Sequence, residues 1–270
     1  PTAFIDQYGA QLCTIEDCDT GQSKTTTVFS FFTQFGKYER QGRGRWKLKD
    51  WPPEDSFKSV FPALHADVID SLPVSAYTVP EHGSGYLNLA TYLPRNAVPP
   101  DLGPKMYNAF ESSCTHGATR LHMDMSDAVN IMKYAAPCPN GSTGGAIWHI
   151  FSASDLDGLR RFLSGKPGGK HPDVDPIHSQ QTYLDANMLR DLQVAEGIVP
   201  WRVVQRTDEA VFIPAGCPHQ VANMSDCVKV ALDFVSPQNV HRCKILADEL
   251  RSENNYELWM EDKLQLNAML

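Results

Sequence analysis

Hydrophobic and polar positions alternate with a period of two through much of the second half of the chain. In "CVKVALDF" the residues Val228, Val230, Leu232 and Phe234 share one face, and Lys229, Ala231 and Asp233 share the other. Short extended segments are expected at Tyr86 to Leu93, Pro104 to Phe110, Thr119 to Asp124, Ala128 to Tyr134 and Ala146 to Phe151, with turns such as "PCPNGSTGG" between them. Further strands follow in "WRVVQR", "EAVFIPAG" and "HQVAN". The period changes in the middle. Ser154, with Asp157 three residues on, predicts a helix start at "DLDGLRRFL". The Gly/Pro-rich "SGKPGGKHPDVDP" predicts a loop, and "YLDANMLRDLQVAEG" a second helix capped by Gly197. From Val240 onward the pattern is that of an amphipathic helix. At the other end, the first 50 residues mix aromatic and polar positions, and Trp51-Pro52-Pro53 marks a sharp stop. Many short strands interrupted by one helical excursion predict a mainly β fold, a small barrel or sandwich with flanking helices. The expected organisation is an N-terminal helical/β segment over 1–84 packed on a barrel over 85–240. That barrel carries a helical insertion at 152–198, and a C-terminal helix over 241–270 follows it.

Composition narrows this picture. A chain of 270 residues with 42% hydrophobic and 21% charged positions can bury a sizeable core. The net charge of -8, without a long basic run, argues against direct nucleic-acid binding and favours a cationic ligand such as a basic peptide. Seven scattered cysteines form neither a disulfide framework nor a paired zinc motif, so reduced thiols in an intracellular protein are expected. Cys13 and Cys18 as half of a metal site are the lesser alternative. No apolar run reaches the roughly 18 residues of a membrane span. The opening at Pro1 suggests a fragment of a longer protein.

The chemistry concentrates in "TRLHMDMSDAVNIM", Thr119 to Met132. On a strand, His122 and Asp124 would project from one face, and a buried carboxylate there needs a cation or a salt bridge to compensate it. A second imidazole, His219, follows the "IPAGCP" turn at the start of another strand. Two histidines and one carboxylate are the ligand set of a facial iron triad, which leaves coordination positions open. The alternatives are a simple hydrogen-bonded His–Asp pair and a core histidine satisfied by a backbone carbonyl.

Longer phrases decide between these readings. "LKDWPP" (48–53), "LNLA" (87–90), "DLGPKMYNA" (101–109), "SDAVN" (126–130), "IWHIF" (147–151), "DPIH" (175–178), "FIPAGCPHQV" and "KVALDFVSP" occur in the order found in Jumonji-C (JmjC) oxygenase domains. The chain closely resembles that family, and within it the histone demethylases acting on mono- and dimethylated lysine 9 of histone H3. The resemblance runs from about residue 45 to 250. It implies a double-stranded β-helix, a cupin-like jelly roll, with Fe(II), 2-oxoglutarate and dioxygen as cofactors and His122, Asp124 and His219 as iron ligands.

For 2-oxoglutarate, the resemblance points to Thr119 and Asn130. Strict alternation would put Thr119 on the face opposite His122, so its role needs a bulge. Many relatives carry a lysine where Ala146 stands here, and Lys229, on the polar face of its strand, is the expected substitute. Lys133 falls on the face opposite Asn130 and is the weaker candidate. Tyr107 matches a tyrosine lining the methyl-lysine pocket. Trp148 is expected in the core, and His149, His178 and His241 have no assigned role.

The implied activity is oxidative removal of N-methyl groups from histone lysine with release of formaldehyde. The implied setting is the nucleus, on the methylated histone H3 tail and chromatin, without a membrane. The alternatives are a JmjC hydroxylase of a non-histone substrate and a catalytically silent chromatin-binding module.

Overall fold

A computed structural model describes residues 1–39, 44–53, 56–81, 83–94, 102–112, 117–164 and 175–253. Asp101, Cys114, the loop at 165–174 and the tail from 254 lie outside the described residues. Two antiparallel sheets carry the strands. The larger contains β1 (Leu12–Asp17), β2 (Ser23–Thr27), β3 (Trp46–Trp51), β4 (Lys105–Ala109), β6 (Asp127–Ala135), β9 (Ala210–Ile213) and β11 (Cys227–Phe234). Their order is β2-β1-β3-β4-β11-β6-β9. The smaller sheet holds β5 (Thr119–His122), β7 (Ala146–Ile150), β8 (Trp201–Gln205) and β10 (His219–Asn223), in the order β5-β10-β7-β8. The two face each other as a jelly roll, as the alternation and the family resemblance predict.

Strand alternation sorts side chains into two compartments. Val129, Ile131, Val228, Val230, Leu232 and Phe234 face outward into a core shared with four helices. These are α1 (Thr2–Tyr8), α2 (Val28–Phe32), α3 (Phe57–Val60) and α4 (Pro62–Asp70). Phenylalanines fill this layer; the Phe31 and Phe110 rings stack at 5.0 Å. Between the sheets lie Ala128, Met132, Trp148, Ile150, Val211, Ile213 and Val221. The short helix α5 (Ser75–Thr78) packs against β11.

The outer face of the smaller sheet is covered by α6 (Leu156–Ser164) and α7 (Ala186–Glu196), whose Leu159, Phe162 and Leu192 cluster with Leu121 and Phe151. Asp185 caps α7 through the backbone N–H groups of Asn187 and Met188, each at 2.8 Å. Gly197 closes the helix at φ 71°, a left-handed conformation that glycine adopts without Cβ strain. The last helix, α8 (Val240–Glu253), buries Cys243 and Leu246 against Ala215 and Val235. No helix among the described residues is long and apolar enough to cross a membrane.

Three local expectations need correction. Within the segment from Tyr86 to Leu93, Leu89–Tyr92 forms a 3-10 turn rather than a strand. Buried Asn88 holds it there, accepting from Val235 N–H at 3.0 Å and donating to Val79 O at 3.3 Å. The N-cap preceding α6 is Ser152, not Ser154. Ser152 Oγ accepts from Ser154 N–H and opens a 3-10 turn, Ala153–Asp155, ahead of the helix. Asp124 lies beyond the end of β5, which stops at His122.

Buried Asp127 organises the end of the barrel where these elements meet. Its Oδ1 accepts from Ala215 N–H at 2.9 Å and Asn239 Nδ2 at 2.6 Å, and its Oδ2 from Ser236 N–H at 2.9 Å and Ser236 Oγ at 2.6 Å. One carboxylate thus joins the start of β6, the turn before β10 and the chain leaving β11. Asp127→Asn turns one acceptor into a donor facing donors and is expected to cost about 2–4 kcal/mol in denaturant unfolding. The opposite sign is expected at Asn108, whose two side-chain polar atoms are buried in the apolar layer without a hydrogen-bond partner among the described residues. Asn108→Leu, of similar shape, should raise stability by about 1–3 kcal/mol in the same measurement.

Candidate metal centre

His122 ends β5 and His219 begins β10, and the two strands pair with His219 directly opposite His122. The rings are 4.2 Å apart at 52°. Asp124 reaches back from just past β5, with Oδ1 3.6 Å from His122 Nε2 and Oδ2 3.6 Å from His219 Nε2. Both other ring nitrogens are fixed by backbone. His122 Nδ1 lies 2.9 Å from Arg120 O, and His219 Nδ1 lies 3.1 Å from Cys217 O. A carbonyl can only accept, so each Nδ1 carries a proton, and Nε2 is the ring atom turned to the carboxylate.

Burial, then the neighbouring His122, push the His219 pKa down to about 4 against the opposing pull of Asp124. A neutral His219 cannot serve as the cation of a salt bridge, and 3.6 Å is too long for a hydrogen bond. The separations instead approach the roughly 3 Å between adjacent ligand atoms around a small cation bonded at about 2.1 Å. All three ligand atoms lie within 4.8 Å of one another, and this is the one such group among the described residues. Imidazole and carboxylate without thiolate suit a divalent iron-type ion better than structural zinc. Cys13 and Cys18 form no such group; both thiols are buried and their pKa values are raised to about 11 by that burial.

The remaining candidates sit around the triad. Between the pairs His219↔His122 and Val221↔Thr119, β5 advances three residues while β10 advances two. This bulge rotates Thr119 onto the face that His122 occupies. Lys229 lies on the inner face of β11, opposite Tyr107 on β4 and Met132 on β6. It is 5% exposed, donates to Asn223 Oδ1 at 2.7 Å and sits 5.7 Å from the Trp148 ring centre. No carboxylate among the described residues pairs with it, and burial lowers its pKa. Asn130 is buried on the inner face of β6, opposite Ala231 and Val211. Lys133 instead faces the N-terminal helices and donates to Ser71 Oγ at 2.8 Å.

Trp148 is a wall of the barrel rather than remote core. It stacks 5.9 Å from the His219 ring, and its indole N–H donates to Gln205 Oε1 at 2.9 Å. Gln205 Nε2 in turn donates to Asn130 O at 2.8 Å, joining the sheets. Partly buried Tyr107 lies near acidic groups; burial first, then Asp50, Asp233 and Asp124, raise its phenol pKa and keep it protonated. Sequence reasoning missed Gln205 and Asp127, because each acts through a partner remote in the chain. His149 makes a 3.4 Å contact with Gln220, His178 lies 4.0 Å from Glu249, and exposed His241 is on α8, so none of the three joins the triad. A separate cavity of about 440 Å³, lined by Ser112, Cys138, Ile147 and Met224, opens at the opposite ends of β7 and β10.

Comparison with known proteins agrees with this geometry. Residues 116–234 match a family described as "JmjC domain, hydroxylase". Lysine-specific demethylase 3 of Drosophila melanogaster is 41% identical over 260 positions, covering 83% of this chain and 30% of that protein. Lysine-specific demethylase 3A of Homo sapiens is 36% identical over 313 positions, covering 100% of this chain and 23% of the relative. The Gallus gallus protein of the same name is 36% identical over 314 positions, with the same coverage. The chain therefore spans less than a third of each of these relatives. With the triad geometry, the jelly roll and these matches together, the chain carries a JmjC domain over residues 116–234.

Proposed function

We propose that this chain is the catalytic module of an Fe(II)- and 2-oxoglutarate-dependent oxygenase that demethylates histone lysine, with mono- and dimethylated lysine 9 of histone H3 as its substrate. The observation that carries this reading is the convergence of His122, Asp124 and His219 at one point, with a buried Lys229 on the inner wall of the same barrel. The first three hold the metal. Bound iron and 2-oxoglutarate supply dioxygen-driven oxidation of an N-methyl carbon, with succinate, carbon dioxide, formaldehyde and the demethylated amine as products. Lys229 meets the far carboxylate of the cosubstrate, a task that suits a desolvated ammonium without an anionic partner. Thr119 supplies a hydroxyl and Asn130 an amide to the same ligand. Trp148, Ile150 and Val221 exclude water from the barrel. Tyr107 lines the mouth for the methylated side chain. The names of the demethylase relatives support a histone substrate, and with it a nuclear, chromatin-bound setting.

The test combines purified protein with Fe(II), 2-oxoglutarate, ascorbate and methylated histone H3 peptides, read by mass spectrometry beside His122→Ala. Loss of methyl mass with matching succinate is expected, and neither in the variant. A stable oxygen adduct would identify a hydroxylase instead, and unchanged peptide without succinate a silent module. Lys229→Met should raise the KM for 2-oxoglutarate at least about 100-fold, because it deletes a buried ion pair. The same change should stabilise the ligand-free protein, since it removes an uncompensated buried ammonium. Thermal melting with and without 2-oxoglutarate checks both signs: the ligand raises the midpoint of the wild type and leaves that of the variant unmoved.

A further inference from the structure

Lys229 does not stand alone in the barrel. Its ammonium gives one hydrogen bond, at 2.7 Å, to the amide oxygen of Asn223, the last residue of β10. Both side chains are buried, Asn223 at 1% exposure and Lys229 at 5%. An ammonium can only donate, so the oxygen of the amide is the end that faces it. The amide nitrogen turns the other way, to Phe110 O at 3.4 Å.

Asn223 is itself anchored. Its backbone N–H donates to Ser112 Oγ at 2.8 Å, and its carbonyl accepts from Ser112 N–H at 3.0 Å. Ser112 lies just beyond β4, which pairs with the strand that bears Lys229. The anchor therefore ties the two sheets together: Asn223 belongs to the smaller one, Lys229 and β4 to the larger. A lysine ammonium on its flexible four-carbon stem would otherwise sweep a wide arc. One hydrogen bond to a braced amide removes that freedom and leaves the remaining N–H groups for a ligand.

Where the ammonium is held also matters. β10 pairs with β7 without interruption from His219 to Asn223, so the two lie on one face, four residues and about 13 Å apart. That face is the inner one, since His219 stacks on Trp148 and Asn223 meets Lys229. A ligand chelated at the His219 end and ion-paired at the Asn223 end has its length fixed by the protein. The anchor is also neutral. A carboxylate here would pair with Lys229 and cancel its charge, whereas an amide orients the ammonium and leaves the charge for the ligand.

We propose that Asn223 is a positioning residue that sets the chain length of the 2-oxo diacid accepted by the barrel, by holding the Lys229 ammonium at one distance from the metal centre. This rests on the oxygenase reading above, in which Lys229 meets the far carboxylate.

The test is direct binding by calorimetry to protein loaded with Mn(II), so that no turnover is needed. Two diacids are compared: 2-oxoglutarate and 2-oxoadipate, which is one methylene longer. Wild type should prefer 2-oxoglutarate, and Asn223→Ala, which frees the ammonium, should reduce that preference about tenfold. Asn223→Asp, of nearly the same shape, should weaken both diacids at least about tenfold while raising the melting midpoint of the ligand-free protein, because the new carboxylate compensates the buried ammonium. A residue that only holds the fold gives the opposite pattern: equal weakening of both diacids in Asn223→Ala, and a lower midpoint in Asn223→Asp. Either result, or unchanged binding in both variants, overturns the proposal. Failure of the underlying reading shows separately: Lys229→Met then binds 2-oxoglutarate as tightly as the wild type, or the wild type does not bind it at all, and this assignment falls with it.

Discussion

The hydrogen bonds gathered by Asp127 are the constraint on which the metal-binding end of the barrel depends. A carboxylate removed from water is costly, and here four donors from two other chain segments offset that cost. One of those segments is the Pro-Ala-Gly-Cys-Pro turn. Because Ala215 N–H is tied to Asp127, the turn has one orientation, and His219 enters β10 in register with His122. Gly216 at φ 72° makes the bend, with Arg242 and Leu246 of α8 packed where a Cβ would stand. A polar interaction that is only structural thereby sets where an imidazole nitrogen points.

A second theme is the use of irregular pairing. In an ideal antiparallel sheet, side chains three apart fall on opposite faces, and two neighbours never share one. The β5 bulge breaks the first rule for Thr119 and His122, and the β3 bulge breaks the second for Lys49 and Asp50. A third, between Val228 and Lys229 in the β11–β6 pairing, lets Met132 face inward while Tyr134 packs outward. Each costs some ladder regularity. In return, more polar groups converge inside a narrow barrel than a strict two-residue period permits.

This explains what could be read from the chain and what could not. The two faces of β11 followed from alternation, so the inward direction of Lys229 was visible without coordinates. The caps of α7 were visible too, because Asp185 and Gly197 act within a few residues of their own positions. The bulges were not: one additional residue leaves no compositional trace, and the Thr119 question stayed open until the register was known. Asp124 was placed on the strand of His122, although it lies past the strand's end and reaches the site from there. Leu89–Tyr92 read as part of a short extended segment, while the interactions of Asn88 with Val79 and Val235 made it a turn. Of the first 50 residues, little beyond the stop at Trp51 could be read; their strands are edge pairs of polar and threonine-rich sequence, organised by the barrel they join.

That joining has a consequence for how the polypeptide can be divided. Asp226, fully buried in the turn between β10 and β11, accepts from Gly36 N–H at 2.7 Å and from Glu111 N–H at 2.8 Å. β1 to β3 extend the same hydrogen-bonded sheet that carries β4, β11 and β6. The stretch matched to the family, 116–234, is thus narrower than the unit that folds. An excised piece starting at the barrel would bare the phenylalanine-lined side of its larger sheet to solvent and strand a carboxylate in its interior. The smallest autonomous body must begin upstream of Gly36.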